Sequence, residues 1–224
     1  MDTIKIICLA VCIALAGCAS SAVTELRDTA FTSSAVSTLA CMPFVRGRQC
    51  LDPQTGEDAL LDCRFSSLSY SPEFYSPGAL QDISSILHGE LRNTYGRIVK
   101  DYSAGVSVFE TLALRTPDKT LRSLASAFAR ELGAEYVAAG VLDSYKERKG
   151  TARAIYSPAS VSFRVYIIHA PTESIVFEGV FSETQQALSE NILQAPSFFK
   201  RGARWLTAAE LSREGIRRVL ADIP

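Results

Sequence analysis

The chain has 224 residues, of which 47% are hydrophobic and 21% are charged. This composition is ordinary for a folded domain, and it excludes a wholly disordered chain and a protein with many membrane spans. Lys and Arg number 23 against 24 Asp and Glu, which gives a net charge of −1. Nucleic-acid-binding domains are usually clearly basic, so we expect no nucleic-acid partner. With only two histidines, His88 and His169, a histidine-rich metal site is not expected either.

The first 17 residues are typical of an export signal. Lys5 precedes an apolar run over residues 6–15, which is too short for a membrane-spanning helix of about 20 residues. The run ends in Leu15-Ala16-Gly17-Cys18. This ending resembles the lipobox of bacterial lipoproteins, in which the Cys thiol is lipidated and becomes the first residue after cleavage. The alternative is a plain secreted protein in which Cys18 is incidental.

The lipobox resemblance implies a domain organisation and a location. Residues 1–17 are then a signal peptide, and Cys18 carries acyl chains, palmitate among them, that anchor the chain stably in a bilayer. Residue 19 is Ala rather than Asp, which by resemblance to lipoprotein sorting favours the outer membrane of a Gram-negative envelope, with the protein facing the periplasm. Residues 18–37 are predicted to be the lipidated Cys and a flexible tether, whose roughly 20 residues reach about 25 Å. Residues 38–224 form the periplasmic domain.

Three cysteines remain after the signal and the lipidated residue, in an oxidising compartment. Cys50 and Cys63 flank a polar loop, and we predict a disulfide bond between them that stabilises the fold by about 3 kcal/mol. Cys41 lies in an apolar stretch and is predicted to be a small core residue. The alternative for the three thiols is a metal knuckle, although no fourth ligand lies nearby in the sequence.

Strands and helices alternate in the first part of the domain. Mostly apolar runs predict strands at residues 39–44, 106–112 and 136–142. Helices are predicted to begin at Ser76 and at Thr116, because each of these hydroxyl residues precedes a proline. Strands that alternate with helices favour a mostly parallel sheet with right-handed crossovers.

The pattern changes in the second part. Apolar and polar residues alternate over residues 160–167 and 175–181 around a turn at 170–173, which predicts a β-hairpin at one edge of the sheet. Thr207 and Glu210 form a capping-box pattern that predicts a C-terminal helix. The predicted fold class is therefore α/β, with the order β-α-β-α-β, a β-hairpin and a helix, in a two-layer or three-layer sandwich around a mixed sheet.

Three stretches carry a resemblance to known families. They are Met42-Pro43-Phe44 at the end of the first strand, residues 132–137 with Gly140 at the third strand, and the hairpin over residues 159–183. Behind a lipobox, this order resembles the periplasmic domain of CsgG-like secretion lipoproteins, LpoB-like activators of penicillin-binding proteins and the TolB N-terminal domain. In these families a Leu-Gly-Ala-Asp step often precedes the third strand, and Glu135 replaces that Asp here. Phe177 stands where the hairpin of these families has a Trp.

The connection over residues 184–205 is the most distinctive stretch of the chain. It is far longer than a usual connection, and it resembles a segment of uncharacterised envelope lipoproteins. It combines aromatic residues with Arg, as the energetically dominant residues of protein interfaces do. The candidate partner-binding residues are Gln185, Asn191, Phe198, Phe199, Lys200, Arg201, Arg204 and Trp205. The alternative is that its apolar residues simply cover the end of the sheet.

No motif of an enzyme class is present in the sequence. It lacks a nucleophile elbow, a phosphate-binding loop, a dinucleotide-binding loop, a zinc-protease helix motif and an EF-hand loop. His88 is predicted to be a boundary residue of a helix and His169 a surface residue, so we predict no catalytic residue, no metal and no cofactor. The predicted function is a non-catalytic binding and assembly module for an envelope complex, with a protein partner or further copies of itself. The alternatives are an activator of a peptidoglycan synthase and a cell-wall hydrolase that uses one of the two histidines as its base.

Overall fold

The computed structural model describes residues 21–26, 32, 34, 36–52, 59–96, 99–152, 154–185 and 204–223. The helices in these parts are α1 (Ala79–Tyr95), α2 (Tyr102–Arg115), α3 (Leu121–Glu131) and α4 (Ala208–Ala221). The strands are β1 (Ser21–Leu26), β2 (Leu39–Cys41), β3 (Val45–Arg46), β4 (Gln49–Cys50), β5 (Leu68–Ser69), β6 (Tyr136–Lys146), β7 (Lys149–Gly150), β8 (Ile155–Ser157), β9 (Ser160–His169) and β10 (Ser174–Thr184). Among the helices of this described part, none is long and apolar enough to cross a membrane.

One central sheet organises the domain, in the order β1-β10-β9-β6-β2, and β3 pairs with β6 beyond the end of β2. Among the described strands, β2 and β3 run parallel to β6, whereas β6, β9, β10 and β1 pair antiparallel. The expectation of a mostly parallel sheet is therefore wrong. A parallel pair needs a long crossover, and here α1, α2 and α3 all lie in one such crossover between β3 and β6, while the hairpin strands need only turns.

The predicted strand at residues 106–112 is wrong, because these residues lie inside α2. Asp101 caps this helix, and its carboxylate accepts a hydrogen bond from the Ala104 backbone N–H at 3.0 Å. Val108, Phe109 and Leu112 have the spacing of one helical face, and they pack on the second hydrophobic cluster of the core. The valines of this run gave it the appearance of a strand, but its cap and its helical spacing decide the structure.

The sheet lies between two layers of helices, which confirms the predicted α/β class as a three-layer sandwich. The first face of the sheet packs under α1 and α4, and its core includes an aromatic row. The ring centres of Phe44 and Phe163 lie 5.9 Å apart, and those of Phe163 and Phe181 lie 5.3 Å apart. The second face packs under α3 and, in part, α2.

Helix α4 approaches the sheet closely through a glycine. A Cβ atom on Gly215 would lie 2.5 Å from the ring of Phe181, so only glycine allows this distance between helix and sheet. The helix begins with the predicted capping box, in which Thr207 and Glu210 satisfy each other's backbone N–H groups. The other two predicted helix starts are shifted, since α1 begins after Gly78 and α3 begins after Thr120.

The N-terminal segment corrects another expectation. Residues 21–26, which were predicted to be part of a flexible tether, form the edge strand β1, which pairs with β10 from Phe177 to Ser182. The Thr24 hydroxyl also donates a 2.9 Å hydrogen bond to the Asp222 carboxylate at the end of α4. An edge strand is held by backbone hydrogen bonds, so it needs no apolar pattern that the sequence would reveal.

The cysteines have the predicted arrangement. A disulfide bond joins Cys50 and Cys63, whose Cα atoms are 5.6 Å apart. Cys41 is free and buried, and burial raises the pKa of its thiol to about 12. The Cys41 thiol therefore stays protonated and unreactive at neutral pH.

Candidate functional site

The register of the sheet gives the domain two distinct ends. Ser21 lies opposite Ser182, Thr184 opposite Ser160, and Ser160 opposite Lys146. We call the end that carries these residues the anchor end, because Ser21 follows Cys18 by three positions in the sequence. The opposite end carries Leu39, Tyr136, His169 and Ser174, which are aligned in the same way.

The predicted partner-binding segment leaves and re-enters the domain at the anchor end. Gln185 is buried, and its side-chain oxygen accepts a 3.1 Å hydrogen bond from the Leu206 backbone N–H. This bond ties together the two positions between which the segment runs. Gln185 therefore makes a structural contact inside the domain, and its role as a partner-binding residue stays a prediction. The candidates Asn191, Phe198, Phe199, Lys200 and Arg201 lie outside the described residues.

The two candidates at the end of the segment have different environments. Arg204 is exposed and pairs with Glu210 at 2.8 Å, beside the start of α4. Trp205 is half-buried, its backbone N–H bonds to the Ala152 carbonyl at 3.0 Å, and its own carbonyl accepts from the Arg148 guanidinium. Trp205 thus joins the end of the segment to the small β7–β8 hairpin.

The β7–β8 hairpin presents an aromatic side chain that the sequence analysis did not single out. The side chain of Tyr156 is 95% exposed, although tyrosine is usually at least partly covered. The hairpin is held in place by its neighbours, because Glu147, just before β7, accepts hydrogen bonds from the Ala208 backbone N–H at 3.1 and 3.2 Å. A fixed hairpin with an exposed aromatic residue is a surface suited to contact with another protein.

At the opposite end, His169 belongs to a polar network. Its Nδ1 lies 2.8 Å from the Thr172 hydroxyl, and its Nε2 lies 3.5 Å from a carboxylate oxygen of Glu135. The hydroxyl of Thr172 is also 2.7 Å from that of Ser174. His169, which was predicted to be a simple surface residue, is therefore oriented by its neighbours. Its hydroxyl–imidazole–carboxylate order is the one that nucleophilic hydrolases use.

His88 has no such arrangement. Its Nε2 lies 3.3 Å from the Lys100 carbonyl, and its ring packs at 5.0 Å against the ring of Tyr102. This is the predicted boundary position on α1. In the part of the chain that the structure describes, no group of three or more His, Cys, Asp or Glu side chains has an arrangement that could hold a metal ion.

A half-buried carboxylate marks the second face of the sheet near the anchor end. Burial raises the pKa of Asp143 above its usual value, and the nearby Arg164 guanidinium and a hydrogen bond from Ser162 at 3.1 Å oppose this shift. Among the described residues, one carboxylate oxygen of Asp143 and the Nε of Arg164 are buried without a hydrogen-bond partner. We call Asp143, Ser162 and Arg164 the polar strip. It lies beyond the part of the second face that α3 covers.

No family model matches the sequence, and no curated protein matches it either. The fold is shared with solved structures. A single-residue variant of PelC from Paraburkholderia phytofirmans, solved as a dodecamer, has a TM-score of 0.51 at 12% identity, with 90% of this chain and 96% of that chain covered. This likeness shows a common fold.

Two other solved structures are similar at a lower level. The LpoB C-terminal domain from Escherichia coli has a TM-score of 0.39 at 16% identity, covering 70% of this chain and 90% of that one. The lipoprotein GNA1162 from Neisseria meningitidis has a TM-score of 0.39 at 11% identity, covering 75% of this chain and 98% of that one. Scores at this level support no argument about function. The resemblance to CsgG-like proteins and to the TolB domain stays a prediction.

Proposed function

We propose that the chain is a lipoprotein, anchored by acylated Cys18 in the outer membrane and facing the periplasm, that acts as a non-catalytic binding and assembly module. The observation that supports this proposal is the position of the first strand, β1, close behind Cys18. The strand β1 begins only three residues after the lipobox Cys and is built into the central sheet. The lipid is then attached directly to a folded domain.

The short connection also distinguishes between the alternatives. An activator of a peptidoglycan synthase must reach from the outer membrane to the cell wall. The three residue steps from Cys18 to Ser21 span at most about 10 Å, against the roughly 25 Å of the predicted tether. A domain held so closely to its membrane is better suited to an assembly on the membrane surface, so the activator stays the second choice.

The proposed assembly contact includes the β7–β8 hairpin and the exposed Arg204 at the anchor end. PelC, whose fold this chain shares, was solved as a dodecamer, which makes further copies of the chain the first partner to test. Tyr156 supplies an exposed aromatic side chain of the kind that dominates protein interfaces.

The anchor is tested by metabolic labelling with palmitate. We expect the wild-type chain to be labelled and to float with outer membranes, and Cys18→Ser to lose both properties. Labelling that persists in Cys18→Ser would refute the lipid anchor.

The assembly is tested by light scattering of the mature lipoprotein in a mild detergent. We expect a mass of several subunits for the wild type and a smaller mass for Tyr156→Ser. Leu114→Ser is the matched control, since Leu114 is 84% exposed but lies on α2, and we expect it to leave the mass unchanged. A strict monomer at high concentration would exclude self-assembly.

A hydrolase remains a second candidate because of the network at His169. If Thr172 is a nucleophile with His169 as its base, Thr172→Val and His169→Ala abolish release of fragments from purified peptidoglycan. Ser174→Ala is the control, because Ser174 touches only the hydroxyl of Thr172 in this network. If the wild-type chain releases no fragments, the network is structural.

A further inference from the structure

A cluster of basic and aromatic side chains lies at the sheet edge beside β3. We call it the basic–aromatic cluster, and its members are Arg46, Arg48, Lys146, Tyr70, Phe74 and Tyr75. The Arg48 guanidinium lies 4.1 Å and the Lys146 ammonium 4.4 Å from the centre of the Phe74 ring. Two cations thus share one ring, which holds them near each other through cation–π attraction.

Arg46 adds a third cation to the cluster. Its guanidinium lies 5.3 Å from the ring centre of Tyr70 and 5.4 Å from that of Tyr75. The two tyrosine rings meet edge to face at 5.8 Å. The Nε of Arg46 is buried and has no hydrogen-bond partner among the described residues. A buried donor without a partner is costly, so Arg46 is well placed to gain from an added acceptor nearby.

The three cations also lack anionic partners. Among the residues that the structure describes, no Asp or Glu oxygen lies within ion-pair distance of Arg46, Arg48 or Lys146, whereas Arg64 and Arg122 are paired with aspartates at 2.6 and 2.7 Å. Three acidic side chains lie near the cluster, but none of them forms an ion pair with its cations.

Of these acidic groups, Glu73 is exposed in the turn before Phe74. The Glu147 carboxylate already accepts a hydrogen bond from the Ala208 backbone N–H at the start of α4. Asp143 is bonded to Ser162, and its attraction to Arg48 is weaker than its attraction to Arg164. The cluster therefore presents a local excess of positive charge in a chain whose net charge is −1.

The position of the cluster points to its partner. Lys146 ends β6 at the anchor end, three strands from the strand of Ser21 in the sheet. With neighbouring strands about 4.8 Å apart, the two residues are separated by about 15 Å across the sheet. A connection of at most about 10 Å from Cys18 to Ser21 keeps this whole end next to the bilayer surface.

We propose that the basic–aromatic cluster binds the phosphate groups of anionic phospholipids in the membrane to which Cys18 anchors the chain. This inference rests on the proposed lipid anchor. Basic residues that meet an anionic membrane surface are attracted to it, and aromatic residues favour the same interfacial zone. The lipid phosphates supply the anions that the cluster lacks, and they fix the domain with its anchor end on the membrane.

Helix α1 connects the two ends of the domain, so dyes placed near its start and near its end can report which end of the domain lies on the membrane. Its start lies at the anchor end, because the Ser76 N–H bonds to the Tyr145 carbonyl, and the chain after α1 pairs with Leu39 at the opposite end through Val99. Pro77, two residues before α1, and Asn93, near the end of α1, are both exposed, and about 21 Å of helix separates them. A dye on Pro77→Cys therefore reports on the anchor end, and one on Asn93→Cys on the opposite end. Cys41 is buried, so a maleimide dye reacts at the introduced thiol.

The labelled, lipidated full chain is placed in phosphatidylcholine vesicles with or without phosphatidylglycerol, and a nitroxide on the lipid headgroups quenches the dye. We expect strong quenching at position 77 and weak quenching at position 93, only with phosphatidylglycerol and at low salt. Arg48→Gln with Lys146→Gln lowers the ratio of quenched to unquenched chains about twenty-five-fold, at about fivefold per cation. The control Arg92→Gln with Lys100→Gln, at the opposite end, leaves this ratio unchanged.

The outcomes separate this inference from the proposed anchor. A chain that stays with the vesicles but shows equal quenching at both positions, or no change in Arg48→Gln with Lys146→Gln, overturns the phosphate-binding cluster alone. A chain that does not stay with the vesicles overturns the lipid anchor, and the cluster's role with it.

Discussion

The two faces of the central sheet are built differently. The first face is closed by an aromatic row and two helices, and Phe44, Phe163 and Phe181 are almost completely buried in it. The second face is closed by α3 and, in part, α2 over only some of its length, and towards the anchor end it carries polar residues such as Ser162 and Arg164. Stability therefore resides mainly in the first face, and the second face leaves a polar surface.

The largest expected effect comes from removing a ring of the first face. Phe181→Ala leaves a cavity under α4 and lowers the free energy of unfolding by about 3–5 kcal/mol. Val180→Ala, the preceding residue of β10, changes the other face, where Val180 is only half-buried, and we expect a loss under about 1.5 kcal/mol. Urea unfolding of both variants measures the difference, and equal losses would mean that the faces contribute alike.

The disulfide supports the less well covered second face. The Cys63 carbonyl accepts a hydrogen bond from the first residue of α3, and Leu60 and Leu61 just before Cys63 pack in the second cluster. Replacing Cys50 and Cys63 by Ser lowers the free energy of unfolding by about 3 kcal/mol in the chain-entropy model. Thermal unfolding with and without reductant measures this loss. Cys41→Ala is the control for removal of a thiol that forms no bridge.

A smaller effect is expected where α4 meets the first face. Gly215→Ala places a methyl group against the Phe181 ring and costs about 1–3 kcal/mol by overpacking. Gly89→Ala on α1 is the matched control, because a Cβ there meets no atom within 4 Å, and it gains about 0.5–1 kcal/mol from helix propensity. Opposite signs in denaturant unfolding are expected. A gain in stability for both variants would show that α4 can move away from the sheet.

The smallest effect concerns the polar strip of the second face. The pKa of Asp143 is raised in the folded protein by burial, so its contribution to stability is greatest below its usual pKa of about 3.8 and is lost as the pH rises through the folded value. Asp143→Asn removes this loss and raises the melting temperature slightly at pH 7, with no change relative to wild type near pH 3. A variant that is less stable at pH 7 would mean that the attraction to Arg164 outweighs the cost of burial.

The sequence predicted the elements whose signals are local. The hairpin of β9 and β10 follows from alternation, α4 from its capping box, and the disulfide from the loop that its cysteines flank. The helix α2 was missed because its valines favoured a strand, and the signal that could have revealed it was the Asp101 cap at its start. Pairing of β1 was missed because backbone bonding to an edge leaves no pattern in the side chains.

The candidate site could be predicted only in part. The aromatic and Arg residues of the stretch 184–205 predicted partner binding, but whether Gln185 faces a partner or the interior depends on the fold around it. The basic–aromatic cluster joins residues of β3, the turn before α1 and the end of β6, which are far apart in the sequence. The His169 network likewise brings Glu135 to an imidazole through pairing of β6 with β9. Such juxtapositions follow from tertiary pairing, which short-range patterns do not contain.

The edge strand has a mechanical consequence if Cys18 is held in the membrane. Any pull between the membrane and the domain enters at Ser21, at one end of a strand whose six residues all pair with β10. A pull directed along the strand loads its backbone hydrogen bonds together, whereas a pull across the strand breaks them one after another. The Thr24–Asp222 hydrogen bond passes part of this load to α4. The strand that completes the sheet would then also be the element that resists detachment of the domain from its lipid.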